Sequence, residues 1–312
     1  MSASPLPTLS SPNLPCITLR HGAQRVDILD PRADARTLGA RYVHGAYISA
    51  WRVGDRCLTT GPTRHWAPFG GRGLPETFEL PLAWAMAGEH ESFMRIGAGQ
   101  LRRRGLNASE DWTRAALTAT VDWTVTGQSE SHITMTSGDG VETADLHISY
   151  EIERTVRVLA DGLESRTTLA LRCPRLRQHP ISWFAHPFFA QSVLGATALE
   201  VPGAPEPVHN TRPANGFAPG PTGLARDHEG RWRFGDGVSR GVLGGLWGTS
   251  PELLVHLDPA FGGGRVGISV DRPLDHLVVW ASDHVFSPEP KFCRLWLDGE
   301  RASWGVRYRF LP

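Results

Sequence analysis

Long apolar runs are missing from this 312-residue chain. No stretch of about 18 consecutive apolar residues occurs, so no transmembrane helix is expected. An excess of one charge is missing too: Lys+Arg and Asp+Glu both total 32, and no block of like charge stands out. That balance gives no footing for nucleic acid or for an anionic membrane surface. Cysteine is scarce. Cys16, Cys57, Cys173 and Cys293 are far apart and none forms a C-x-x-C pair, so neither a zinc knuckle nor a redox motif is indicated and scattered buried thiols are expected. The Gly262-Gly263-Gly264 cluster lacks the Gly-Lys-Ser/Thr ending of a phosphate-binding loop and reads as a turn. Neither a Gly-x-Ser-x-Gly elbow nor a His-Glu-x-x-His helix occurs, which removes the common hydrolase and zinc-protease signatures. The 13 histidines show no metal-ligand spacing on a plausible helix. Neither metal nor cofactor is expected.

The opening MSASPLPTLSSPNLPC lacks the basic start and unbroken apolar core of a secretory signal. A flexible Pro/Ser leader over residues 1–15, followed by a single domain over 16–312, in a soluble cytoplasmic protein, is the default reading. Without a secretory signal, the Asn107-Ala108-Ser109 sequon reads as chance. Helical periodicity is also in short supply. Its best candidate, residues 84–100, is weakened by Gly88, Gly97 and Gly99.

What the chain has instead is alternation. Leu117, Ala119, Val121, Trp123 and Val125 alternate with Thr118, Thr120, Asp122, Thr124 and Thr126, the pattern of a half-buried antiparallel strand. Ile148, Tyr150 and Ile152 repeat it, as do Val156 and Val158, and Asp161-Gly162 marks a turn into a partner strand. Short β-rich pieces follow at residues 253–257, 266–270 and 277–280. An Asp298-Gly299 turn then leads into Trp304, Val306, Tyr308 and Phe310, a terminal hairpin. Residues 59–82 read as a long loop carrying Arg64, His65, Trp66, Arg72, Glu76 and Glu79; loops rich in charge and aromatics are commonly functional. Residues 201–223 read as an extended surface connection. The sum is an all-β chain, a large antiparallel sandwich.

Two stretches carry candidate chemistry. Ile181-Ser182-Trp183-Phe184-Ala185-His186-Pro187-Phe188-Phe189 sets one histidine among apolar neighbours, which tune its pKa by desolvation and suit it to general acid or base work. A core histidine bonded to backbone is the competing reading. In Phe286-Ser287-Pro288-Glu289-Pro290-Lys291, two prolines fix the backbone on either side of a lone carboxylate, the rigid placement that a catalytic base needs. A solvated loop glutamate is the plainer alternative. Eleven tryptophans suit stacking on sugar faces and equally suit core anchoring; Trp66, Trp183 and Trp51 are the first candidates for ligand contact.

These stretches together resemble the aldose 1-epimerase (galactose mutarotase-like) superfamily, especially its epimerase-like branch. The likeness runs from Gly39-Ala40-Arg41-Tyr42 through Gly73-Leu74-Pro75-Glu76-Thr77-Phe78-Glu79 and Phe93-Met94-Arg95-Ile96-Gly97 to His186-Pro187-Phe188-Phe189 and Ser287-Pro288-Glu289-Pro290. The resemblance implies a β-supersandwich that interconverts sugar anomers, with Glu289 as base, His186 as acid and a monosaccharide or short saccharide as substrate. It further implies that Arg41, His65, Trp66, Arg72, Glu76, Glu79 and Trp183 line the pocket, and that the chain acts as a monomer or homodimer without cofactor. Ala185 departs from the pattern, since typical mutarotases carry Asn before the histidine. A second histidine has only His65 and His44 as loose matches. A lyase or glycosidase on the same scaffold, with Glu76 or Glu79 as second carboxylate, and a carbohydrate-binding protein without catalysis are the alternatives.

Overall fold

The computed structural model describes residues 14–30, 39–61, 70–80, 87, 90–102, 117–142, 147–204, 209–211, 216–218, 223–235, 240–244 and 252–312. The expected leader, apart from Leu14 and Pro15, lies outside these residues, as do His65, Trp66 and the Asn107 sequon.

Alternating sequences become long antiparallel strands. His147–Leu159 and Gly162–Arg172 form the hairpin expected at Asp161-Gly162, with Leu159 opposite Gly162. Val285–Leu297 and Arg301–Leu311 form the terminal one. Among the described residues the largest sheet has ten strands, in the order Leu224–Arg226, Trp232–Phe234, Ala198–Glu200, Leu253–His256, Arg265–Val270, Arg301–Leu311, Gly162–Arg172, His147–Leu159, His132–Glu142 and Thr124–Gln128. A six-stranded sheet packs against it. Its order is Arg240–Gly244, His276–Ser282, Val285–Leu297, Gln178–Ala185 and Glu76–Glu79, with the short Phe189–Ala190 strand also paired to Val285–Leu297. The fold class is therefore the all-β antiparallel sandwich read from the sequence.

Aromatic side chains fill the space between the two sheets. Trp183 stacks on Phe292 with ring centroids 5.2 Å apart. Both meet Trp304 of the facing sheet edge-on, at 5.9 and 5.4 Å, and Phe78 meets it at 5.8 Å. Burying several such rings, each with a large apolar area, supplies much of the drive for sheet-on-sheet packing.

Three local expectations are corrected. The strand expected over 117–126 is two strands, Leu117–Thr120 and Thr124–Gln128, in different sheets. The break falls where Trp123 turns inward, donates its indole N–H to Gly97 O at 3.2 Å and lies so close to Gly45 that a Cβ there would sit 2.1 Å from the ring. In place of a helix, the described part of 84–100 contains the hairpin strands Ser92–Arg95 and Gly99–Arg102, because Gly97 and Gly99 adopt φ of 73° and 140°. Of the four thiols only Cys173 is buried; Cys16, Cys57 and Cys293 are exposed, and all four are free.

Candidate functional site

Strand periodicity sorts the candidate residues onto two faces of the six-stranded sheet. On Val285–Leu297, Phe292 points into the aromatic interior, so Ser287, Glu289 and Lys291 point the other way. The neighbouring registers set Trp280 beside Ser287, Val278 beside Glu289, and both His276 and Phe184 beside Lys291. All of these belong to one outward face.

His186 reaches the same face by leaving the sheet. The Gln178–Ala185 strand is paired to Val285–Leu297 up to Phe184 and Lys291; pairing resumes only at Phe189 and Phe286. In the gap, the backbone N–H of His186 bonds Pro75 O at 2.8 Å and that of Phe188 bonds Gly73 O at 2.9 Å. Two prolines within a sheet strand remove two ladder donors, which the same gap explains. Lys291 O accepts from Asp275 N at 2.9 Å, so the backbone groups of Lys291, Glu289 and Ser287 point toward the His276–Ser282 side. Pro288 and Pro290 therefore present their missing N–H groups to the flank with no partner strand.

The histidine and the glutamate meet. His186 Nε2 lies 3.1 Å from Glu289 Oε1, with side chains 3% and 8% exposed. Arg41 Nη2 is 3.0 Å from the same Nε2, and Ser287 Oγ is 2.8 Å from Nδ1. Rings enclose the group: Phe188 lies 4.4 Å from the imidazole centroid, Tyr42 5.9 Å and Trp280 6.3 Å. A proton donor and a proton acceptor thus sit in contact on a mostly apolar surface with a cation beside them. The reach fits paired acid and base chemistry on one small polar substrate.

Arg41 is held from behind. Thr77 Oγ1 donates to Arg41 O at 2.5 Å, and the buried Arg95 donates to Arg41 O at 3.2 Å and to Thr77 Oγ1 at 2.9 Å. Burial pulls the Arg95 guanidinium down to about 9, an effect that nearby Glu79 opposes and Arg41 reinforces. The Arg41 guanidinium also lies 5.1 Å from the Tyr42 ring centre. Burial pushes the Tyr42 phenol well above its ordinary value, against the pull of Arg41. It is a neutral wall of the site.

Glu79 is on the same face but already paired, with Lys291 Nζ at 2.5 Å. Burial pushes its carboxyl up, and the ammonium more than offsets that, leaving it below the usual range. Arg72 donates to Ser49 O at 3.2 Å, while its main chain exchanges bonds with the Tyr47 hydroxyl.

Glu76 and Trp183 are elsewhere. Glu76 faces the interior between the sheets, where Arg154 Nη2 at 2.5 Å, Ser165 Oγ at 2.6 Å, Thr167 Oγ1 at 3.3 Å and Trp183 Nε1 at 2.9 Å surround its carboxylate. Trp183 is fully buried, and so is Trp51, which donates to Gln24 Oε1 at 2.8 Å. All three are core residues, contrary to the pocket-lining expectation for Glu76 and Trp183 and the ligand-contact expectation for Trp51. The physical reason is parity, since Trp183 and Phe78 point inward while Phe184, Thr77 and Glu79 point outward. His44 is also buried, its Nε2 bonded to Gly39 O at 2.7 Å and its pKa drawn down to about 4 by burial. Ala185 is fully buried opposite Glu76. Residues the sequence reading passed over include Ser287, Lys291, Tyr42, Arg95 and Trp280. Ser287 and Lys291 were recoverable as the two same-face neighbours of Glu289; Arg95 lay in a stretch that carried the resemblance but was given no role there, and Trp280 carried no local signal.

Open grooves of about 390 and 430 Å³ lie on the ten-stranded sheet, along residues such as Asp122, Glu151, Glu153 and Arg301. Their described linings contain no histidine beside a carboxylate. Among the described residues no group of three or more His, Cys, Asp or Glu is placed to hold a metal ion.

A large antiparallel sandwich with a histidine and a glutamate in contact on one sheet face is the class these observations define. Solved structures make it narrower. The chain is similar to the galactose mutarotase related enzyme of Lactobacillus acidophilus, at 13% identity and a TM-score of 0.60, over 95% of this chain and 97% of that one. It is similar to a galactose mutarotase-like protein of Lactobacillus casei, at 14% and 0.57, over 95% and 100%. The galactose 1-epimerase of Lactobacillus acidophilus is matched at 13% and 0.52, over 95% and 93%. No family model matches the sequence, and no curated protein does. The chain has the fold of the aldose 1-epimerase and galactose mutarotase-like superfamily.

Proposed function

We propose that the protein is an aldose 1-epimerase-like isomerase that interconverts the anomers of a free sugar, with Glu289 as base and His186 as acid. The observation that carries this reading is the 3.1 Å approach of His186 Nε2 to Glu289 Oε1 on an aromatic-lined face beside Arg41. Glu289 accepts the proton of the anomeric hydroxyl as O1–H becomes the C1=O1 carbonyl. The C1–O5 electron pair goes to the ring oxygen, which takes the proton from His186 Nε2. Rotation about C1–C2 followed by the reverse transfers closes the ring on the other face, and neither residue undergoes net change. The half-buried Trp280 ring offers a flat apolar surface to the sugar, and Arg41 offers its hydroxyls a donor.

A glycosidase with a second free carboxylate draws little support, because Glu76 is turned inside and Glu79 is paired with Lys291. A single domain over 16–312, a cytoplasmic setting and a monomeric or homodimeric state belong to the same proposal. Free cysteines are in keeping with a reducing compartment; no helix among the described residues is long and apolar enough to cross a membrane.

Saturation-transfer NMR on a panel of free aldoses is the test. Anomer exchange faster than the buffer rate, lost in Glu289→Gln, is expected for at least one sugar. Unchanged exchange for every aldose, with consumption of a disaccharide or uronate, would transfer the assignment to glycosidase or lyase chemistry. Binding without turnover would leave a carbohydrate-binding protein.

A further inference from the structure

A neutral histidine that carries its only proton on Nε2 makes a poor acid, because giving that proton away would leave an imidazolate. The donor to a ring oxygen has to be the imidazolium, and the neutral form it leaves behind has to keep its proton on Nδ1. In a two-nitrogen ring, the partner of one nitrogen sets the state of the other. Here Nδ1 faces Ser287 Oγ at 2.8 Å, and Ser287 is fully buried on the strand that carries Glu289 two residues on. A hydroxyl oxygen can accept the Nδ1–H bond in both protonation states.

Nε2 meets partners of opposite character. Glu289 Oε1 at 3.1 Å can only accept from it when ionised, whereas Arg41 Nη2 at 3.0 Å can only donate to it. One nitrogen cannot satisfy both at once. With a proton on Nε2 the bond runs to Glu289; with a lone pair there, Arg41 donates into it. We propose that Ser287 is a positioning residue that holds the second imidazole proton on Nδ1, so that Nε2 alone toggles between a Glu289-bound protonated state and an Arg41-bound deprotonated state. The pairing stabilises both ends of the transfer. Among the described residues, the charged and titratable groups placed around the ring include Arg41 and Tyr42 from the 39–47 segment and Glu289 from the strand beside it, with the Lys291–Glu79 pair one step further along the face. This inference rests on the acid role proposed for His186, but its primary readout is independent of any sugar.

Long-range ¹H–¹⁵N correlation spectra of ¹⁵N-labelled full-length protein, with the His186 signals assigned by their loss in His186→Gln, read the tautomer directly. Above the histidine's titration, Nδ1 is expected to be protonated and Nε2 to carry the lone pair. Ser287→Ala is expected to shift the neutral ring toward the Nε2–H form, and Ser287→Thr, which restores a hydroxyl, to shift it back. Loss of an acceptor from the cation also moves the alkaline limb of the pH–rate profile to lower pH in Ser287→Ala, with kcat reduced about tenfold at fixed pH and KM little changed. A wild-type spectrum with the proton on Nε2 and the lone pair on Nδ1 overturns the proposal even if no variant folds. So does an unchanged tautomer in a folded Ser287→Ala. The expected tautomers without anomer exchange for any aldose would support the Ser287 assignment and sink the sugar reading instead.

Discussion

The two faces of the six-stranded sheet carry two glutamates in opposite circumstances. Glu76, on the inner face, is surrounded by an arginine, two hydroxyls and an indole N–H, all from the protein itself. Glu289, on the outer face, meets the imidazole ring of His186. Both are nearly buried, at 2% and 6% exposure; burial therefore does not tell the two apart. The nature of the partners does. Glu76 is enclosed by an arginine, two hydroxyls and an indole that serve as its donors, whereas Glu289 is opposed to an imidazole ring, the arrangement on which the proposed proton exchange rests.

The sharpest way to break this contrast is to neutralise each carboxylate in turn. Glu289→Gln is expected to lower anomer exchange by about 10²- to 10⁴-fold, read by saturation transfer, while leaving the urea midpoint close to wild type. Glu76→Ala is expected to cost about 3–5 kcal/mol of stability, because Arg154 stays buried without its counter-charge. The measurement is the shift of that midpoint. A stable Glu76→Ala protein, or a Glu289→Gln protein that unfolds as readily, would erase the distinction.

A second buried histidine sharpens the comparison from the other side. His179 is fully buried with neither ring nitrogen hydrogen-bonded, and burial draws its pKa from 6.5 to about 4. The unfolded chain takes up this proton near pH 6.5, whereas the folded chain resists until about pH 4. Stability should therefore be full above pH 6.5 and fall as pH drops toward 4, by up to about 3 kcal/mol from this group. Urea midpoints across that window, in wild type and His179→Leu, give the difference, and His44 contributes in the same direction in both proteins. Parallel curves would remove His179 from the account.

The smallest effect belongs to the Lys291–Glu79 pair on the outer face. Lys291→Met is expected to change stability by less than about 1 kcal/mol, since both side chains keep some contact with solvent. A loss comparable with Glu76→Ala would place that pair among the structural charges.

Much of the sandwich was legible because alternation is a short-range signal. His147–Leu159, Gly162–Arg172 and the terminal hairpin follow directly from it. The break at Trp123 was not, because it depends on a glycine far off in sequence that makes room for the indole. His186 and Glu289 drew attention through composition and resemblance, yet nothing local fixed their separation; that distance is set by registers with Glu76–Glu79 and His276–Ser282. Glu76 and Trp183 were misplaced by a residue's worth of parity. Knowing that Glu76 lies in a strand and not in the 59–82 loop would have been enough to turn it inward, since Glu76 and Phe78 share a face and the latter reads as core.

Pro288 and Pro290 have a bearing on folding fidelity. If Val285–Leu297 slipped by one residue against its neighbours, Glu289 would turn into the aromatic interior and its backbone would face the open flank. The same slip would aim both proline nitrogens at the His276–Ser282 strand, leaving carbonyls there without donors at a cost of about 1–3 kcal/mol each. The prolines that frame the carboxylate thus act as a parity key, disfavouring the one-residue slips that would turn the glutamate away from the histidine.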